Sequence, residues 1–271
     1  MTLTTLEGEA LDLLTTRPLV VLTGAGLSTD SGIPDYRGPG ARRAAATPMT
    51  YQEFVASPQA QQRYWARSHL GWQRMGRAVP NDGHHALARL DPELLITQNV
   101  DGLHEAAGTR SLVALHGRVA DVICLSCRTT SSRDALEREL DALNPGWLER
   151  HGWVESRPDG DVELDDTHDF VVPRCPCGGP LKPDVVFFGE TVPRERVDRS
   201  FELVGGARCL LVLGSSLTVM SGYRFVLRAA KLGIPVAIVN VGPTRGDAKA
   251  DVRVDAPLGA VLPELARRLA A

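Results

Sequence analysis

Short runs of aliphatic residues, each ending abruptly in a glycine or a polar cluster, punctuate the chain. Leu19–Leu22, Leu94–Thr97, Leu112–Leu115, Cys209–Leu213 and Pro235–Val239 are the clearest of them. Continuous apolar runs of this length are the pattern of strands buried on both faces of a parallel sheet. The intervening stretches carry helical signals. Residues 2–16 place Leu at 3, 6, 11, 13 and 14, and a helix is expected there beside the first strand. Further helices are expected over Thr50–Ala56 and Gln59–Met75 with Pro58 between them, and over Ser132–Leu143, Arg194–Val204, Tyr223–Leu232 and Leu258–Leu269. Asn81-Asp82-Gly83 reads as a turn from which His84 opens a short helix. Adjacent His84 and His85 would point in different directions on that helix, so they read as structural rather than as a ligand pair.

The chemistry collects where the apolar runs stop. Polar groups at the carboxyl end of a parallel strand lie where open α/β sheets bind ligands. After the first run comes Thr23-Gly24-Ala25-Gly26-Leu27-Ser28-Thr29, continuing to Asp35-Tyr36-Arg37. The two glycines permit a tight turn and close approach of backbone to a ligand, and the amides that follow would suit a pyrophosphate. The third glycine of the hydride-transfer fingerprint is replaced by Thr29, which disfavours a dehydrogenase. A glycine turn followed by an ordinary surface loop is the plainer alternative. The second run ends in Gln98-Asn99-Val100-Asp101, an amide pair and a carboxylate able to hold a ribose and a carboxamide. The third delivers His116, and a histidine after a strand end is more often a satisfied structural residue than a base. Gly214-Ser215-Ser216 and Asn240-Val241-Gly242 close the fourth and fifth.

Four of the five cysteines form two close pairs, Cys124/Cys127 and Cys175/Cys177, the signature of a tetrahedral structural zinc site. Cys209 lies in an apolar run and reads as core packing. Leu181–Glu190 is apolar enough to form an extended edge that pairs with a peptide backbone, or another core strand. The net charge of −3 offers no reason to expect nucleic-acid binding. Lys stands only at 182, 231 and 249, and Arg with abundant Ala, Gly and Pro matches GC-rich bacterial composition. The acidic N-terminus lacks the apolar core of a secretory signal, and no run approaches a membrane span. A cytoplasmic protein, with no nucleic-acid or membrane partner and acting as a monomer, is expected.

The stretch GAGLSTDSGIPDYRG closely resembles the NAD-binding signature of the sirtuins, NAD-dependent protein-lysine deacylases, and TQNVDGLH resembles their second motif. The resemblance covers nearly the whole chain and is closest to class II, the sirtuin 4 group, through RYWARSHLGW, LNPGW, PDGDV, CGGPLKPDVVFFGE and SGYRF. It implies an α/β fold: a Rossmann-like parallel sheet domain over 1–120 and 180–271, with a helical insert at about 40–80, interrupted by a small zinc-binding module over 121–179. The implied co-substrate is NAD, held by Gly24, Ala25, Gly26, Ser28, Thr29, Asp35, Tyr36, Arg37, Gln98, Asn99, Asp101, Gly214, Ser215, Ser216, Asn240, Val241, Gly242 and Leu258. His116 would be the general base, Asn99 would orient ribose and water, and Asp101 would contact the carboxamide. One structural Zn2+ would sit on Cys124, Cys127, Cys175 and Cys177, although the second pair has one intervening residue where the family has two or more. Acyl-lysine proteins would lie along Val186, Phe187, Phe188 and Gly189. Tyr64 and Arg67, three apart on a helix, match the arrangement with which desuccinylase-type sirtuins grip an acidic acyl chain, Arg67 pairing with a neighbouring acid being the alternative. The implied products are free lysine, nicotinamide and O-acyl-ADP-ribose; protein mono-ADP-ribosylation in the same cleft is the second reading.

Overall fold

A computed structural model of the protein describes residues 16–36, 48–152, 159–164 and 166–269. The helix expected over 2–16 and the cofactor candidate Arg37 lie outside the described residues. Six strands form a parallel sheet: β1 (Leu19–Thr23), β2 (Leu94–Thr97), β3 (Leu112–Ala114), β7 (Cys209–Leu213), β8 (Val236–Val239) and β9 (Val252–Val254). Their order is β3-β2-β1-β7-β8-β9, so the chain reverses its direction of travel between β1 and β7. Every residue of β1, β2, β7 and β8 is buried, as continuous apolar runs require. One face packs on α3 (Asp82–Leu90) and α9 (Leu258–Leu269), the other on α7 (Arg194–Gly206) and α8 (Met220–Lys231).

A second sheet, β5-β4-β6, is antiparallel and small: β4 is Gly117–Cys124, β5 Thr130–Ser132 and β6 Leu181–Val185. β6 therefore belongs to this sheet and not to the large one, and it stops at Val185, short of the extended run to Glu190 that its composition suggests. Residues 186–190 instead turn across the junction: Val186 N donates to His116 O, and Tyr51 N donates to Phe188 O. The inserted segment also carries α5 (Arg133–Leu143) and α6 (Trp147–His151), and packs on α1 (Tyr51–Ala56) and α2 (Pro58–Met75).

Helix starts differ from the expectation where a cap decides them, and Thr50 and Ser132 are caps rather than first helical residues. Pro58 is the first residue of α2, with Ser57 as its cap, because proline loses nothing where an N–H has no helical partner. Asn81 is likewise a cap, accepting from Gly83 and His84 N, so the segment read as a turn is the first turn of α3. No helix among the described residues is long and apolar enough to cross a membrane.

Candidate active site

The reversal between β1 and β7 is where the loop after each strand swings to the opposite side of the sheet, opening a crevice. Here the two loops interlock through backbone. Gly24 N donates to Leu213 O at 3.0 Å and Gly26 N to Gly214 O at 2.9 Å. A Cβ on Gly24 would stand 2.7 Å from that of Ser215, and one on Gly26 2.9 Å from Gly214 O, so neither tolerates a side chain. Above them lies a cavity of about 720 Å³ walled by both sheets' loops.

The candidates on its wall are Gly24, Ala25, Gly26, Ser28, Asp35, Tyr36, Gln98, Asn99, Asp101 and His116, with Gly214, Ser215, Ser216, Asn240, Val241 and Gly242. Tyr64, Val186, Phe187, Phe188 and Gly189 line it from the module side. Thr29 and Leu258 are not on the wall: Thr29, exposed, donates its Oγ1 hydrogen to Gly26 O, and Leu258 packs under Gly214, where a Cβ would meet it at 2.8 Å.

One polar network ties the β1 and β2 ends together. Asn99 Nδ2 donates to Gly24 O at 3.1 Å and to Ser28 Oγ at 3.0 Å, and Ser28 Oγ donates to Asp101 Oδ2 at 2.6 Å. Both amide protons of Asn99 are thus spent on the protein, which leaves its carbonyl oxygen for a ligand. Burial raises the pKa of Asp101, opposed by its bonds from Ser28 and Leu103 N. Gln98 accepts from Ser215 Oγ at 2.7 Å, linking the β2 and β7 ends, and is packed so closely on Gly222 that a Cβ there would stand 2.6 Å from it.

His116 follows β3. Its Nδ1 lies 2.9 Å from the carbonyl of Gln98, an acceptor only, so Nδ1 carries the proton and Nε2 is the bare, basic nitrogen. Burial pushes its pKa down to about 4, against the bond to Gln98 that raises it, so the ring is neutral near pH 7. Nε2 is 2.8 Å from Ser221 Oγ in the first turn of α8. Sequence reasoning did not single out Ser221, because a serine 105 positions away carries no local signal of that contact.

The module side of the cavity is aromatic. Phe54, Tyr64 and Phe187 meet with ring centroids 5.1–5.4 Å apart. Lys182, almost fully buried, sits 4.4 Å over the Phe187 ring and 3.0 Å from Glu190, whose carboxylate also takes the Phe187 N–H. These bonds brace the 186–190 turn. Tyr64 faces the cavity, its phenol pushed well above the usual tyrosine range by burial, but Arg67 does not. Its guanidinium pairs with Asp161 and donates to Val162 O at 2.5 Å, binding the inserted loop to α2. The loop approaches so closely that a Cβ on Gly71 would stand 1.6 Å from Gly160 O. Asp159 and Asp161, which the sequence reading did not place at the site, reach the cavity wall as a result.

The four paired cysteines converge, their sulfurs all within 4.8 Å of one another. Cys124 and Cys177 sulfurs are 3.5 Å apart and those of Cys127 and Cys175 3.7 Å. A tetrahedral zinc with bonds of about 2.3 Å requires sulfurs about 3.8 Å apart, so the donor set fits the ion. The single-residue spacing of the second pair is accommodated by a turn, Gly178 N to Cys175 O at 2.7 Å with Gly178 at φ +84°. Gly179 passes so close to Cys124 that a Cβ would stand 2.7 Å from its sulfur. Four protein thiolates leave no open position, and the ion's role is structural.

The Sir2 family model matches residues 24–221. An "NAD-dependent protein deacetylase 1" of Streptomyces coelicolor is 55% identical over 265 residues, covering 95% of this chain and 88% of its own. A solved complex of Sir2 with p53 peptide and NAD+ is 31% identical, with a TM-score of 0.71 and coverage of 98% and 97% of the two chains. A Sir2 variant solved with deacetylated p53 peptide and 3′-O-acetyl ADP-ribose is also 31% identical, with a TM-score of 0.73 and 96% coverage of each. With a family model spanning most of its length and a relative of this similarity along nearly all of it, the chain belongs to the Sir2 family.

Proposed function

We propose that the protein is an NAD-dependent protein-lysine deacylase. The observation that carries this reading is His116, neutral and unprotonated at Nε2, on the wall of a cavity shared by the glycine loops and Phe187. NAD is the co-substrate, giving up nicotinamide and accepting the acyl group on its ribose. The loops at Gly24–Gly26 and Gly214–Ser216 take the phosphates and the Asn240–Gly242 corner the adenosine half, with Asp35, Tyr36 and Arg37 covering the ribose-phosphate. Asn99 offers its remaining carbonyl oxygen to ribose or water, and Asp101 its carboxyl to the carboxamide. His116 Nε2 is the base for the ribose hydroxyl that receives the acyl group.

The substrate is an acylated lysine on a protein, its backbone laid along Val186–Gly189 and its chain passing Phe187 and Tyr64 into the cavity. Arg67 is occupied by Asp161, which supports neutral acyl groups, acetyl first, over acidic ones. The measurement is nicotinamide release from NAD with acetyl-, butyryl- and succinyl-lysine peptides and their unmodified forms. Release that depends on the acyl group, with acetyl above succinyl, is expected. Equal release with unacylated protein would favour ADP-ribosyl transfer instead.

A further inference from the structure

The one basic nitrogen of His116 is covered by a side chain of the protein itself. Nδ1 must hold its hydrogen to bond the Gln98 carbonyl, so the hydroxyl of Ser221, 2.8 Å from Nε2, can only be the donor there. The contact is built rather than incidental. Gly222, next in the chain, lies hard against the Gln98 side chain, and this presses the first turn of α8 onto the ends of β2 and β3. Ser221 itself lines the cavity beside His116. A base whose acceptor lone pair is taken by a hydroxyl works through that hydroxyl or not until it leaves. Ser221 is held on a helix of 12 residues, and its neighbour is wedged in place, so departure would require the turn itself to move.

We propose that Ser221 relays the proton between the ribose hydroxyl and His116. The inference rests on the deacylase reading. In the transfer step the ribose O–H bond breaks and its proton passes to Ser221 Oγ, while the Ser221 O–H proton passes to His116 Nε2. The acyl oxygen has by then bonded to C1′ of the ribose as the C1′–nicotinamide bond broke, so the acyl carbon is doubly bonded to the lysine nitrogen as an imidate. The electron pair left on the ribose hydroxyl oxygen forms the new C–O bond to that carbon, and the C=N π pair goes to the lysine nitrogen. The serine hydroxyl is regenerated, the histidine leaves as imidazolium, and no oxidant or reductant is needed.

The test combines a titration with kinetics, using the full chain. The ring nitrogens of His116 are followed by NMR against pH in wild type, Ser221→Ala and Ser221→Thr. A hydrogen bond donated to the neutral ring lowers its pKa, so Ser221→Ala should raise it by about 0.5–1 pH unit, the equivalent of one neutral hydrogen bond. Arg196 of α7 and Arg224 of α8, the charged groups His116 feels, are unchanged in all three proteins. In the same variant the ratio of nicotinamide exchange to acyl transfer should rise ~10-fold or more, on the scale of general acid–base effects. Ser221→Thr, which keeps the hydroxyl, should restore both readouts. The wild-type rate should depend quadratically on the deuterium fraction of the solvent, and that of Ser221→Ala linearly. An unmoved His116 titration, or acyl transfer undiminished in Ser221→Ala, would overturn the relay. A wild type that titrates as expected yet does not deacylate would sink the deacylase reading while leaving the capped histidine intact.

Discussion

The large sheet and the inserted module are held together by different means. In the sheet, β1, β2, β7 and β8 bury every side chain between two helical layers, and apolar area suffices. The module has one three-stranded sheet, of which β5 is exposed throughout, and its apolar residues close a core only together with α1 and α2. It relies on the cysteine cluster at one end and a buried ionic cluster at the other. There Arg133 of α5 lies 4.8 and 5.1 Å from the rings of Trp65 and Trp72 and donates to Ser68, while Glu137 joins it to His69. The sheet positions the chemistry, and the module, docked through α2, supplies the far wall of the cavity.

Chelating the zinc should separate the two regions most clearly. Metal binding and folding are one equilibrium in such modules, worth about 10–16 kcal/mol in small zinc domains. Activity should vanish with loss of the module's tertiary signals, while the helical and parallel-sheet signature of the large domain persists in circular dichroism. A fully active metal-free preparation would show that the thiols alone hold the module. Next in size is Glu137→Ala, which leaves Arg133 buried without its carboxylate. The cost should be about 3–5 kcal/mol, read as a fall in denaturation midpoint for the module. An exposed-pair effect of below about 1 kcal/mol would mean the cluster contributes little.

The sheet side is probed by His116→Ala, expected to lower deacylation ~100-fold or more with folding and NAD binding retained. Turnover near that of wild type would remove His116 from the chemistry. The smallest effect concerns His84 and His104, both buried in the large domain with rings 4.9 Å apart. Burial pushes their pKa values down to about 4 and about 3. The unfolded chain takes up protons below about pH 6.5 that the native state refuses, so stability is full above that pH and falls as pH drops towards 4. Each should contribute a slope of about 1.4 kcal/mol per pH unit in that window. His84→Asn should flatten the melting temperature against pH, and an unchanged profile would assign the acid sensitivity elsewhere.

Much of the large domain was legible because its information is local. A continuous apolar run followed by glycine and polar residues states both a buried strand and a ligand-facing end, and Gly24, Asn99, His116 and Gly214 were found by that rule. The strands β4, β5 and β9 were missed. β4 alternates buried and exposed residues only over its first half and pairs with a strand some 60 positions away, and β9 is the three-residue Val-Arg-Val. Tyr64 and Arg67 do share a helix, but Arg67 meets an acid 94 residues distant, which no helical spacing can announce. Ser221 was invisible for the same reason.

The acyl group is expected to move from lysine to the ribose of NAD. Mass spectrometry of the complete reaction with an acetyl-lysine peptide tests it directly. One equivalent each of deacetylated peptide, nicotinamide and O-acetyl-ADP-ribose is the predicted result. ADP-ribose attached to the peptide or to added protein, with the acetyl group still on lysine, would contradict it.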